Sequence, residues 1–279
     1  MAANDVLIDT EELAGRLDDD TIAVVEVDED TDAYAAGHIP GAVMLHWVDD
    51  LQSESGRDFV TGDELAELLA SHGISDDQTI VLYGGNNNWF AAYAYWLLAY
   101  RGVSNVRLLD GGRTKWELEE RETTTDVPDP SPGSFAVGEP RPELRVFRDE
   151  VIAVAEAGDG SLVDVRSPGE FSGEVMAPPH LPQEQPYVAG HVPGASNIPW
   201  STAANEDGSF KSVDELREIY EGAGIGADDD VIAYCRIGER SSHTWFVLHE
   251  LLGNDNARNY DGSWTEYGSL VGVPVELGS

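Results

Sequence analysis

Short apolar runs alternate with amphipathic stretches along the whole chain. Residues 22–27, 42–45, 79–83 and 106–109 are mostly apolar runs of four to six residues, the length and character of buried parallel strands. Between them, 63–71 carries a helical spacing of leucines behind capping-type residues (Thr61 or Asp63), and 91–100 continues as a second helix. Later in the chain 162–165 and 231–234 repeat the strand pattern. Trp245, Leu248, Leu251 and Leu252 are spaced to share one face of a helix. Strands alternating with helices predict an α/β fold with mainly parallel sheets.

The pattern occurs twice. Gly37-His38-Ile39-Pro40-Gly41 returns as Gly190-His191-Val192-Pro193-Gly194, and Trp47 returns as Trp200. From Asp63 onward a constant offset of 151 pairs Gly73 with Gly224, Tyr83 with Tyr234, Gly102 with Gly253, and Asp110-Gly111 with Asp261-Gly262. So long a match at one offset predicts a tandem duplication of one domain. The boundaries fall at 1–121 and 145–279, joined by a linker at 122–144 whose Pro-, Thr- and Ser-rich composition is mostly extended. The second copy carries 15 additional residues before its Gly-His-x-Pro-Gly turn. They lie within 171–187, an excursion with four prolines that precedes the turn.

Charge narrows the class of partner. Asp and Glu number 53 against 16 Lys and Arg, a formal net charge of −37, with Lys115 and Lys211 the only lysines. A surface this acidic repels nucleic acid and anionic membranes, so neither is expected as a partner. The acids are spread between apolar segments, as in Asp18-Asp19-Asp20 and Asp228-Asp229-Asp230. With 41% hydrophobic residues and seven tryptophans, this reads as an acidic coat on a folded protein of the kind halophilic proteins use, not as disorder. No signal-like opening and no apolar run near 18 residues is present, and a cytoplasmic location is expected.

The two copies are not chemically equal. Cys235, the only cysteine, follows the run 231–234 and precedes the second helix, so it lies at a strand end before a helix N-terminus. Backbone N–H groups converge in such a loop. With Arg236 and Arg240 beside it, the thiol is expected to have a lowered pKa and act as a nucleophile. The offset places Gly84 opposite Cys235, and Gly84-Gly85-Asn86-Asn87-Asn88-Trp89 opposite the whole loop, so the first copy holds neither nucleophile nor arginine there. Arg166 stands at the end of the run 162–165, where α/β folds place ligands, and Asp28 occupies its counterpart position. His38 and His191 sit in the duplicated turn and read as structural, and His243 and His249 as packing or capping residues. The histidines and Cys235 show no zinc-like spacing, and no phosphate-binding glycine loop follows a strand.

Cys235-Arg236-Ile237-Gly238-Glu239-Arg240 resembles the six-residue active-site loop of the rhodanese family of sulfurtransferases, C-R-x-G-x-[RT]. A cysteine phosphatase loop needs C-x5-R, and this loop is one residue too short. The resemblance implies two doubly wound domains, an inactive N-terminal one and a catalytic C-terminal one with the site between them. It implies a persulfide on Cys235, stabilised by backbone N–H groups of the loop through Ile237, Gly238 and Glu239. Arg166 (with Asp164, matching a D-x-R), Arg236 and Arg240 are implied to bind the donor. The donor expected is thiosulfate, the acceptor cyanide or a thiol, and no metal or organic cofactor is required. Related enzymes using 3-mercaptopyruvate have a less basic loop similar to C-G-S-G-V-T, and Tyr260–Tyr267 is similar to a stretch of the thiosulfate enzymes. Two alternatives stay open: 3-mercaptopyruvate as donor, and a persulfide relay that hands sulfur to a partner protein. The oligomeric state is not set by these features.

The acidic coat carries a testable consequence. Raising potassium chloride to about 1 M shortens the Debye length to roughly 3 Å and screens carboxylate self-repulsion. Melting temperature and kcat/KM for thiosulfate are both expected to rise between about 0.1 M and 1 M salt. Equal stability and activity across that range would remove the halophilic reading.

Overall fold

A computed structural model describes residues 6–158, 160–177 and 185–278. Two compact units emerge, the first formed by Met1–Arg141 with Asn205–Phe210, the second by Pro142–Ala204 with Lys211–Ser279. In the first unit the strands are β1 (Leu7–Ile8), β2 (Ile22–Asp28), β3 (Val43–His46), β4 (Thr79–Tyr83) and β5 (Val106–Leu109). They form one sheet in the order β1-β5-β4-β2-β3, with every pairing parallel. In the second unit β6 (Ser161–Asp164), β7 (Ser196–Asn197), β8 (Val231–Tyr234) and β9 (Arg258–Tyr260) pair in the order β7-β6-β8-β9, again all parallel. The order β9-β8-β6-β7 repeats β5-β4-β2-β3 of the first unit, which adds β1 at its edge, so the α/β tandem architecture is present as the sequence predicts.

Strand order also locates a ligand site. From β6 the chain passes to β7 on one side and returns as β8 on the other. The carboxyl ends of β6 and β8 therefore flank a topological switch point, where open α/β sheets hold their ligands. Arg166 and Cys235 follow those two ends. In the first unit the same position is flanked by Asp28 and Gly84.

Each sheet buries an apolar layer of its own. Ile8, Leu13, Val24, Ile39, Val81, Leu109 and Trp116 cluster in the first unit, and Val146, Val151, Leu162, Val192, Ile232, Trp264 and Tyr267 in the second. One polar device is duplicated inside them. The hydroxyl of Tyr83 accepts the Ile39 N–H, and that of Tyr234 accepts the Val192 N–H, both at 3.1 Å. Each bond ties the Gly-His-x-Pro-Gly turn to a central strand. The turn histidines are held alike: His38 stacks on Tyr34 and reaches its carbonyl, and His191 stacks on Phe171 and reaches its carbonyl.

Two helices differ from the expected pattern. The first begins at Trp89, two residues earlier than its apolar run suggests, and runs to Tyr100. Asn86, Asn87 and Asn88 all adopt left-handed conformations before it, and a helix can start only once that run ends. Its counterpart, Glu239–Phe246, continues into a π-helical turn at Val247–Leu251. The leucine spacing suggested one buried face, yet every residue from Glu239 to Leu251 is buried, polar ones included. Residues 178–184 of the inserted excursion lie outside the described residues.

Candidate active site

The Cys235 loop takes its shape from backbone contacts that the local sequence dictates. Strand β8 ends at Tyr234, and the Cys235 and Arg236 carbonyls accept the N–H groups of Trp264 and Thr265 at 3.0 Å each. Gly238 turns the chain with φ +104°, and a Cβ there would lie 2.9 Å from Asp261 Cβ and 3.0 Å from Asp261 Cα. Glycine is required on both counts. The Gly238 carbonyl then accepts the hydroxyls of Ser241 and Ser242. Asp261, against which Gly238 packs, is itself fixed by a forked pair with Arg145 at 2.8 and 2.9 Å.

These constraints aim a backbone donor at the sulfur. The Gly238 N–H donates to Cys235 Sγ at 3.1 Å. Cys235 is fully buried. Its own N–H donates to Ser263 Oγ at 3.0 Å, and the Ser263 hydroxyl in turn reaches the Tyr260 carbonyl at 2.8 Å. Ser263 holds a left-handed φ of +52°, matching its counterpart Gly112 at +53°. A non-glycine residue buried in that conformation stores strain, a pattern found at functional sites. In the first unit the same support comes from elsewhere: Asn88 Oδ1 accepts the Gly84 N–H and Asn88 Nδ2 donates to Leu109. The duplicated loop is thus kept as architecture without a thiol.

The expected lowering of the thiol pKa is corrected by the structure. Burial first, and the Glu239 carboxylate second, push the Cys235 thiol above its ordinary value. Arg240 and Ser241 pull the other way without outweighing them. The thiol donates to Glu239 Oε2 at 3.3 Å. Sequence proximity counted the two arginines and left out the acid between them.

Arg240 and Arg166 are also committed to carboxylates. Arg240 makes a forked pair with Glu170, 3.0 Å on each arm, and both side chains are almost fully buried. Burial pushes the Glu170 carboxyl up, but the Arg240 guanidinium and the donors of Ser167 outweigh it and hold it below its ordinary range. Glu170 also closes a capping box with Ser167 on the short helix Pro168–Ser172. Arg166 is 1% exposed, pairs with Asp164 through two nitrogens and donates to the Gly190 carbonyl. Its guanidinium lies 4.9 Å from the Trp264 ring centre. Arg236 is buried next to Cys235. The structure therefore gathers Cys235, Gly238, Glu239 and Arg240 around one sulfur, with Ile237 contributing backbone in the loop between them. Arg166 is tied to Asp164 at the end of β6.

Glu170 and Ser263 were not singled out by the sequence. Glu170 was readable as the acid of an S-x-x-E capping box, and nothing in the sequence showed that it also meets Arg240. Ser263 lies in the stretch Tyr260–Tyr267, but its place under Cys235 depends on two strand ends lying side by side. Burial pushes His243 down to about 3, so it is neutral at physiological pH and edges against Trp200. Among the described residues no group of His, Cys, Asp and Glu is arranged to hold a metal ion. Among them also, no helix is long and apolar enough to cross a membrane.

Parallel sheets in two copies, with a cysteine loop at the switch point of the second, define a tandem α/β protein with a candidate nucleophile where such folds hold ligands. The rhodanese-like domain model matches residues 9–119 and 148–270, and the chain belongs to the rhodanese family, a family of sulfurtransferases. It is 57% identical over 279 residues to a Mycolicibacterium smegmatis protein named "Putative thiosulfate sulfurtransferase", covering all of both chains. It is 50% identical to the Thermus thermophilus "Sulfur carrier protein TtuD", covering 98% of this chain and 97% of that one. Among solved structures it is similar to an EanB variant carrying a cysteine persulfide with ergothioneine, with TM-score 0.86 and 28% identity over 100% of this chain and 72% of the other.

Proposed function

We propose that this protein moves sulfane sulfur from thiosulfate to cyanide or a thiol through a persulfide on Cys235. The observation that carries this reading is the Gly238 N–H aimed at Cys235 Sγ from 3.1 Å at the end of a central strand. That donor is in place to stabilise negative charge on a thiolate or persulfide sulfur, as double displacement through a covalent carrier requires. The high identity to a protein named for thiosulfate supports the donor, and the persulfide-bearing structural neighbour supports the intermediate. The second copy, 145–279, is the catalytic one. The first, 1–121, is inactive because Gly84 stands where the nucleophile would be, and 122–144 joins them.

Within the site, Arg236 and Arg240 supply the positive charge that meets the donor's sulfonate. Arg166 is the third residue proposed to bind the donor, and its bonds to Asp164 and Gly190 also tie the β6 end to the duplicated turn. Ile237, Gly238 and Glu239 contribute the loop backbone around the sulfur.

Arg236→Gly is expected to lower kcat/KM for thiosulfate about 10- to 150-fold, the equivalent of roughly 1.5–3 kcal/mol for one charge-assisted contact. The loss with 3-mercaptopyruvate is expected to be smaller. Steady-state assays of both donors with both proteins measure this. Equal losses would assign Arg236 to loop support, and a preference of the wild type for 3-mercaptopyruvate would replace the proposed donor.

A relay reading is favoured by one finding, the sulfur-carrier name of the Thermus relative. A stable persulfide with negligible thiosulfate:cyanide turnover would select it.

A further inference from the structure

The fifth residue of the loop brings a carboxylate to a place where backbone alone would stabilise sulfur. Glu239 opens the helix Glu239–Phe246, yet its side chain is turned inward and is 2% exposed. One oxygen accepts the Cys235 thiol at 3.3 Å, and the other lies 3.5 Å from Arg240 Nε. Around this pair, Arg240 lies on the same helix and Glu170 clasps it from the helix Pro168–Ser172, while Arg236 is buried in the loop. The Ser263 hydroxyl lies 3.9 Å from the sulfur.

A thiol that lost its proton to bulk water here would leave two buried anions in contact, which is strongly unfavourable. Passing the proton across the existing hydrogen bond makes the sulfur anionic without adding charge to the buried site. We propose that Glu239 is a catalytic acid–base that takes the Cys235 thiol proton and delivers it to the departing sulfite. This rests on the reading of Cys235 as the sulfur carrier.

The loading step balances as follows. The S–H bond of Cys235 breaks and the proton passes to Glu239. The electron pair left on sulfur forms a bond to the outer sulfur of thiosulfate. The S–S bond of thiosulfate breaks, its electron pair leaves with sulfite, and sulfite takes the proton from Glu239 to depart as bisulfite. Cys235 is left as a persulfide whose negative charge lies on the outer sulfur, one bond farther from the Glu239 carboxylate than a thiolate charge would be. As the acceptor removes the outer sulfur, Cys235 Sγ takes a proton from water, so thiolate and carboxylate do not face each other.

Glu239→Gln keeps the shape of the side chain and removes its proton chemistry. Single-turnover sulfur loading from thiosulfate, read by rapid quench and intact mass, is expected to slow on the order of 100-fold at neutral pH. The deficit is expected to narrow as pH rises, because the wild-type pair then loses the proton it delivers. Alkylation of Cys235 by iodoacetamide needs only thiolate and no leaving-group proton. It is expected to be as fast as in wild type or faster, since a repelling carboxylate is gone. Glu239→Asp is expected to recover part of the loading rate. Loading by Glu239→Gln at the wild-type rate or above overturns the proposal, as does a loss of loading and alkylation together that Glu239→Asp does not restore. Wild-type protein that alkylates at Cys235 but takes no sulfur there overturns the carrier reading itself, and this inference with it.

Discussion

Cys235→Ser is expected to abolish sulfur transfer and leave the fold unchanged. A hydroxyl is a poor nucleophile without a dedicated base and cannot carry a sulfane sulfur, so no residual pathway exists on this chain, whose only cysteine is Cys235. The substitution is nearly isosteric. Its hydroxyl inherits a donor from Gly238 N–H and an acceptor in Glu239, so it is not an unsatisfied buried polar group. Intact-mass measurement after thiosulfate treatment checks this directly. Wild type should gain one sulfur and the variant none, with superimposable thermal melts. Sulfur retained by the variant would move the carrier to another residue and end the proposed mechanism.

The second large effect is on stability. Glu170→Ala is expected to cost about 3–5 kcal/mol, because it strands the Arg240 guanidinium in a buried position without its forked partner. Against a typical total of about 5–15 kcal/mol for a domain, that is a substantial fraction. The pH dependence has a definite sign. The folded carboxyl is held below its ordinary value, so its contribution is complete above the unfolded pKa of about 4.3 and is lost as pH falls through the lowered folded value. Denaturant midpoints of wild type and variant should therefore differ most near neutrality and converge in acid. A difference under about 1 kcal/mol at neutral pH would mean that the pair behaves like a solvated surface ion pair.

What the sequence determined by itself is whatever depends on local periodicity and repetition. Residues 79–83, 106–109 and 231–234 were legible as strands because a short apolar run leaves little choice of element, and β4, β5 and β8 occupy those bounds. The constant offset disclosed the duplication, and the contrast of Gly84 with Cys235 disclosed which copy could hold a nucleophile. Only the tertiary structure decided the electrostatics of the site. Arg166 and Arg240 looked like cations awaiting an anion. Asp164, two residues from Arg166, and Glu170, seventy residues from Arg240, were already their partners. Glu239 was visible as a letter, but whether its side chain faced solvent or the sulfur depended on packing around the whole helix. Ser263 reached Cys235 because β8 and β9 pair in parallel and end together. Charge balance in a buried site is a sum over neighbours brought from distant positions, and a pattern read along the chain counts only those that are near in sequence.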